Sequence, residues 1–243
     1  VATAWDRLGG LLFRARSFTP LPVAFLIVWL SWGEQQLGPG PGGAAVDATL
    51  NLVGLGLCAL GTLWRVVTVA SVPAGTSLQS RRLQTAGLNT TGPYAVLRHP
   101  LYFGNALMVL GLLCIAHTRW AWLLGAPYFL LSTWAIISAE EALLREKWGE
   151  AFTTWRAQVS AWRPRLSALR ELKGPFAWKR AVQREVNPLV AWGCAATLLL
   201  MWEWFARTEL TTALGKRCVG TLVGLLLLLA ANKVWKRLKP AAT

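Results

Sequence analysis

ATLNLVGLGLCALGTLWRVVTVASV, residues 48–72, carries a single charge, Arg65, in a run of otherwise apolar or small uncharged residues. About 20 such residues wound as a helix cross a hydrocarbon core roughly 30 Å thick. Outward from this stretch, further apolar runs occur at 20–33, 101–116, 120–139, 189–206 and 214–234. The whole chain is 54% apolar and only 15% charged, where a soluble domain carries about 25% charged residues. The pattern predicts an all-α, polytopic transmembrane bundle of about six helices. The first run is short, and no small-residue cleavage site follows it, so it is expected to be a retained helix and not a signal peptide.

The charges orient the bundle. Six helices place both termini on one side, and 20 of the 25 Lys and Arg residues fall there, against four on the other, with Arg65 inside the second helix. The richer side is expected to be cytoplasmic. It includes Arg7, Arg14 and Arg16, then Arg81, Arg82 and Arg98, ten residues between 139 and 188, and the basic C-terminal end. The formal charge of +14 is then explained by topology and anionic headgroups, with no nucleic acid partner. The expected location is a bacterial inner membrane or an ER-type membrane. Many of the 15 tryptophans lie near helix ends, as interfacial anchors do.

Cys58, Cys114, Cys194 and Cys218 lie in different membrane runs with no CxxC pair, as small buried hydrophobes would. With only two histidines no His-rich centre is available, and no metal site is expected. His117 reads as a solvated residue in a tight turn on the external side.

The chemistry is concentrated in two cytoplasmic segments that one helical hairpin separates. The first is TTGPYAVLRHPLYFG, residues 90–104, and the second is EEALLREKWGEAFTTW, residues 140–155. Gly92-Pro93 forces a turn, and Pro100 opens the third membrane helix while disfavouring a helical Arg98-His99 before it. Irregular backbone at the membrane surface needs cover from protein or a water-filled cavity. Free amides, a cation and an imidazole at a helix N-terminus make a place for a carboxylate or phosphate; equally, Arg98 could simply meet a lipid phosphate. The second segment reads as a helix with an apolar stripe at Leu144, Trp148, Phe152 and Trp155. Glu140 is expected to continue that stripe, and Glu141 to pair on the flank with Arg145 one turn on. Carboxylates at the inner end of a membrane helix are functional candidates. Gly149 signals a close approach or an early helix end.

Together the pieces GPY…RHPxYxG, EExxLxxxWGxxFxxW and a closing Arg163-Pro164 resemble the isoprenylcysteine carboxyl methyltransferase family and the related membrane phospholipid methyltransferases. The resemblance covers residues 92–164. It implies an S-adenosyl-L-methionine site on the cytosolic face, formed by an RHP loop and an EE helix, with a lipophilic substrate entering from the membrane. Residue by residue it implicates Tyr94, Arg98, His99, Pro100, Tyr102, Gly104, Glu140 and Glu141 in cofactor binding. It also makes His99 and Arg163 the candidate catalytic residues, Arg163 as a substrate-side cation. The chain departs from the family at Trp148, Phe152 and Trp155, which lose two hydroxyls and make the site more apolar.

On this reading residues 1–87 form two N-terminal membrane helices, 88–165 the cofactor-binding core, and 166–243 a basic interfacial segment with two additional helices. The expected reaction moves a methyl group from S-adenosylmethionine to a carboxylate, thiol or amine acceptor that is lipophilic or small. Glu140 or Glu141 would face the cofactor's ammonium and Arg98 its carboxylate. His99 would act as base for a thiol or as a cofactor ligand. Two alternatives stay open: an NADPH-dependent sterol-type reductase, whose RHPNYxG motif has Asn where this chain has Leu101, and a non-catalytic lipid-binding protein. Neither the acceptor nor the oligomeric state is legible.

Overall fold

The computed structural model describes residues 20–36, 43–73, 87–172, 176–207 and 209–238, and every regular element among them is helical. The helices are α1 (Pro20–Gln36), α2 (Gly43–Ser71), α3 (Pro93–Val96), α4 (Pro100–Ala116), α5 (Ala126–Gln158), α6 (Trp178–Ala206) and α7 (Thr212–Leu238). A π turn, Ala121–Gly125, leads into α5, and a 3-10 turn, Leu166–Glu171, follows it. Each of the six apolar runs falls on a helix. Four are long and apolar enough to cross a membrane (Gly43–Ser71, Ala121–Gln158, Trp178–Ala206 and Thr212–Leu238), and two apolar helices, Pro22–Glu34 and Pro100–Ala116, are shorter. Arg7, Arg14, Arg16, Arg81 and Arg82 lie outside the described residues.

Two boundaries differ from the sequence reading. The membrane run 120–139 and the helical segment 140–155 are continuous through α5, which extends to Gln158 and is broken only at Gly149. α6 starts at Trp178 and runs through Pro188, so the basic stretch before Pro188 is helix and not loop. Proline removes one backbone donor from a helix, but neighbouring membrane helices make such an interruption tolerable.

α2 and α4 pack with backbones almost in contact. A Cβ on Gly54 would come within 2.5 Å of the Gly111 carbonyl, and one on Gly61 within 2.6 Å of the Gly104 carbonyl. Small residues allow this approach, which maximises dispersion contact where lipid offers no hydrophobic driving force. Gly104, implicated above in cofactor binding, also packs closely against α2: its own Cβ would meet Arg65 Cγ at 2.5 Å.

Polar contacts fasten α6 to this pair. Arg65 forms a bidentate ion pair with Glu185 (Nε–Oε2 2.6 Å, Nη2–Oε1 3.0 Å) and donates to Asn105 Oδ1 at 2.7 Å. Trp192 Nε1 donates to Thr62 Oγ1 at 2.8 Å, and Arg180 donates to the Val69 and Val72 carbonyls that end α2. α7 lies outside, on α6, where Asn232 Nδ2 donates to the Gln183 carbonyl at 2.9 Å. Leu52, Leu63, Leu123, Leu130 and Leu227 point outward and are exposed, as a lipid-facing surface requires. The bundle has two poles. One gathers the end of α2, the start of α4, the later part of α5 and the start of α6; the other holds the opposite ends.

Candidate functional site at the RHP pole

The irregular backbone between α3 and α4 is covered by protein. Arg98 N–H donates to the Ser160 carbonyl and Arg165 N–H to the Val96 carbonyl, both at 3.0 Å. The segment after α5 thus pairs with the loop and meets the demand for satisfied backbone groups at membrane depth. Pro100 opens α4, and its carbonyl accepts from Trp64 Nε1 at 2.8 Å.

Against this loop α5 delivers both glutamates. Glu141 Oε1 lies 3.1 Å from His99 Nε2 and 3.0 Å from Arg98 Nη1, while Glu141 Oε2 accepts from Arg156 Nε at 2.7 Å. Glu140 Oε1 accepts from the Tyr102 hydroxyl at 2.6 Å, and Glu140 Oε2 is 4.0 Å from His99 Nδ1. Glu140, Glu141, Arg98, His99 and Tyr102 therefore form one cluster, built from two segments about forty residues apart in the chain. Glu141 occupies part of the place for an anion beside Arg98-His99, and Arg98 Nε is left without an acceptor among the described residues.

Both glutamates face the cluster, where the sequence reading expected Glu140 inward and Glu141 on the flank. Glu141 is the buried carboxylate and Glu140 only half-buried. Glu141 pairs with Arg98, His99 and Arg156, and not with Arg145, which is exposed. Arg156 is the residue that sequence reasoning missed. The signal available for it was Gly149, whose φ of +48° lets the chain turn back.

The apolar stripe forms as expected. Leu144, Phe152, Trp155 and Val159 are buried together, with Leu88, Tyr94 and Trp148 packed against them. Burial, reinforced by the Glu140 carboxylate, pushes the Tyr94 phenol up to about 12. Burial also lowers the Arg98 guanidinium from its ordinary value, with Glu141 opposing. Arg98 Nε and Nη1 and the indole N–H groups of Trp148 and Trp155 are buried without a well-aligned hydrogen bond; Arg98 Nη1 approaches Glu141 at ion-pair distance but not at hydrogen-bonding angles.

Arg163 does not join the cluster. Its backbone N–H binds Ser160 Oγ at 3.0 Å and the residue is exposed. A separate open groove of about 500 Å³ lies on the other side of Trp155, lined by Thr90, Glu150, Ala151, Thr154 and Gln158. None of the clustered charged residues lines it.

Residues 50–151 match the phospholipid methyltransferase family. Over 156 residues the chain is 30% identical to the cobalt-zinc-cadmium resistance protein CzcN of Cupriavidus metallidurans, covering 64% of this chain and 65% of that one. Over 148 residues it is 29% identical to the nickel-cobalt-cadmium resistance protein NccN of Alcaligenes xylosoxydans xylosoxydans, covering 61% and 63%. The chain thus spans less than two thirds of the length of either relative. No solved structure matches it significantly. The match contains every residue of the Glu140–His99–Arg98 cluster, and over residues 50–151 this chain is similar to the phospholipid methyltransferase family.

Proposed function

We propose that this chain transfers a methyl group from S-adenosyl-L-methionine to a lipophilic or small carboxylate, thiol or amine acceptor at the cytosolic face of a membrane. The observation that carries this reading is the convergence of Glu140, Glu141, Arg98, His99 and Tyr102 at one pole of the bundle, inside the family match. The donor set fits the cofactor. Arg98 has buried N–H groups lacking aligned acceptors, which suits a carboxylate. Glu140, half-buried and held by Tyr102, suits an ammonium. When bound, the cofactor supplies an electrophilic methyl group on a sulfonium.

The chain's own residues then have definable tasks. Glu141 holds Arg98 and His99 in place through 3.0 and 3.1 Å contacts. A neutral His99 that donates Nε2–H to Glu141 keeps Nδ1 as its acceptor nitrogen. From there it orients a cofactor group or takes the proton of a thiol. The wall of Leu144, Phe152 and Trp155 excludes water, and alignment with desolvation is what an in-line displacement needs most. Arg163, exposed at the rim, is assigned to an anionic group of an arriving acceptor. Membrane lipids surround the site; nucleic acid has no part in this reading.

The resistance functions named for the two relatives do not specify an acceptor, and the assignment rests on the methyl-transfer core. The excess of basic residues at the RHP pole supports a cytosolic site; maleimide should label Thr153→Cys only in permeabilised cells. The deciding experiment is calorimetry on the purified chain in lipid nanodiscs. S-adenosylmethionine should bind, and Arg98→Ala should weaken it by about 1.5–3 kcal/mol, the range for a charge-assisted hydrogen bond. Binding of NADPH in its place would overturn the proposal.

A further inference from the structure

α4 carries a histidine at each end. His99 precedes it in the cluster just described, and His117 ends it about 27 Å away at 1.5 Å per residue. His117 is not the solvated turn residue that its sequence position implies, since its side chain is only 5% exposed. The ring is aimed between two buried carboxylates, Asp47 from the first turns of α2 and Glu203 from the last turn of α6. His117 Nε2 lies 3.8 Å from Asp47 Oδ2 and 3.6 Å from Glu203 Oε1, too far for a hydrogen bond to either. Its Nδ1 is buried with no hydrogen-bond partner among the described residues.

Arg207, the C-cap of α6, sits between the same carboxylates. Its Nη2 is 2.8 Å from Asp47 Oδ2, its Nη1 is 2.8 Å from Glu203 Oε1, and Nη2 is 3.2 Å from His117 Nε2. Asn51 Nδ2 donates to Glu203 Oε2 at 3.2 Å, and Asn51 Oδ1 is buried without a hydrogen-bond partner among the described residues. Among the described residues, two buried carboxylates, Asp47 and Glu203, converge on the His117 ring and the Arg207 guanidinium.

We infer that Asp47, His117 and Glu203 form a binding site for a divalent transition-metal cation, with Arg207 as a built-in cation that a metal displaces. One ligand atom from each of the three residues lies within 4.8 Å of the others. Metal–ligand bonds of about 2.0–2.1 Å in a tetrahedron place ligand atoms roughly 3.4 Å apart. The two imidazole–carboxylate separations need to contract by only a few tenths of an ångström. One nitrogen and two carboxylate oxygens suit a borderline cation such as Zn²⁺ or Co²⁺. A divalent ion would neutralise both carboxylates, and Arg207 stands at the helix end, where its guanidinium can leave without unwinding α6. Asn51 Oδ1 is placed to accept from a water bound to the ion. The site lies at the opposite pole from the methyl-transfer cluster and does not depend on that assignment.

Co²⁺ is the probe, because its visible absorption reports coordination directly. The full chain is titrated in nanodiscs of zwitterionic lipid as wild type, Arg207→Gln, and Arg207→Gln with His117→Ala. Arg207→Gln should bind one Co²⁺ at least about tenfold tighter than wild type, and adding His117→Ala should remove at least about tenfold of that affinity. Equal affinity in wild type and Arg207→Gln, or in the two Arg207→Gln proteins, overturns the site and leaves a purely structural ion network. If Arg207→Gln does not fold, wild type against His117→Ala decides: a loss of the Co²⁺ bands supports the site, and identical spectra overturn it. S-adenosylmethionine binding, measured in parallel, reports separately on the other pole.

Discussion

Arg156 Nε lies 2.7 Å from Glu141 Oε2, although fifteen positions separate the two residues on α5. In a straight helix that spacing would hold their backbones about 22 Å apart, beyond any arginine's reach. The bond exists because the chain turns at Gly149, where φ is +48° and ψ is −120°. A side chain at that backbone conformation is strained, whereas glycine adopts it freely. Gly149→Ala should therefore swing Arg156 away and weaken S-adenosylmethionine binding. Arg156→Ala should produce a similar loss, under about 1 kcal/mol because the arginine is nearly half exposed. Calorimetry on both variants checks this; a loss at Gly149→Ala far exceeding that at Arg156→Ala would mean that the turn serves the site by another route.

The two glutamates should separate by phenotype. Glu141 is buried among Arg98, His99 and Arg156, so Glu141→Gln leaves cations in a dry site without their counter-charge. Breaking such a pair costs about 3 kcal/mol or more, and the variant should melt well below wild type. Glu140→Gln keeps the Tyr102 contact in shape and should retain the melting temperature while losing cofactor affinity. Thermal unfolding in detergent, paired with calorimetry, distinguishes the two. Equal melting temperatures in both variants would count against the burial argument.

Arg65 and Glu185 offer a test of how the C-terminal hairpin is held. Their ion pair is 93% and 98% buried at its two side chains. Arg65→Met alone leaves Glu185 uncompensated and should destabilise by about 3–5 kcal/mol, whereas Arg65→Met with Glu185→Leu should recover most of that loss. A double variant no more stable than the single would show that the pair contributes more than mutual neutralisation.

Tyr94 should give the chain an alkaline sensitivity. Its folded value of about 12 lies above the ordinary 10.0, so between those values the unfolded chain releases a proton that the folded chain retains. Stability is fully present below pH 10 and drains as pH rises towards 12. Tyr94→Phe should remove the component of the ultraviolet tyrosinate signal that rises towards pH 12 and flatten the alkaline stability limb. A signal unchanged in Tyr94→Phe would assign that component elsewhere.

Much of this was written in local sequence. Membrane helices announce themselves through length and apolarity, because lipid imposes one backbone solution on any segment that crosses it; all six apolar runs were legible as helices, down to the Pro100 start of α4, although only four of the described helices are long enough to cross. The RHP loop and the glutamate pair were legible too, since proline and glycine restrict backbone choices at known offsets. What the sequence could not convey was phase and partnership. Which glutamate is buried depends on how α5 leaves the bundle, and a rotation of one residue, 100°, exchanges Glu140 and Glu141. Arg156 meets Glu141 only after the turn at Gly149. Gly104 reads as part of a motif until α2 is seen against it, and His117 reads as a turn residue until α2 and α6 close around it. Those identities come from contacts between segments far apart in the chain, and pairwise packing of that kind leaves no periodic trace along it.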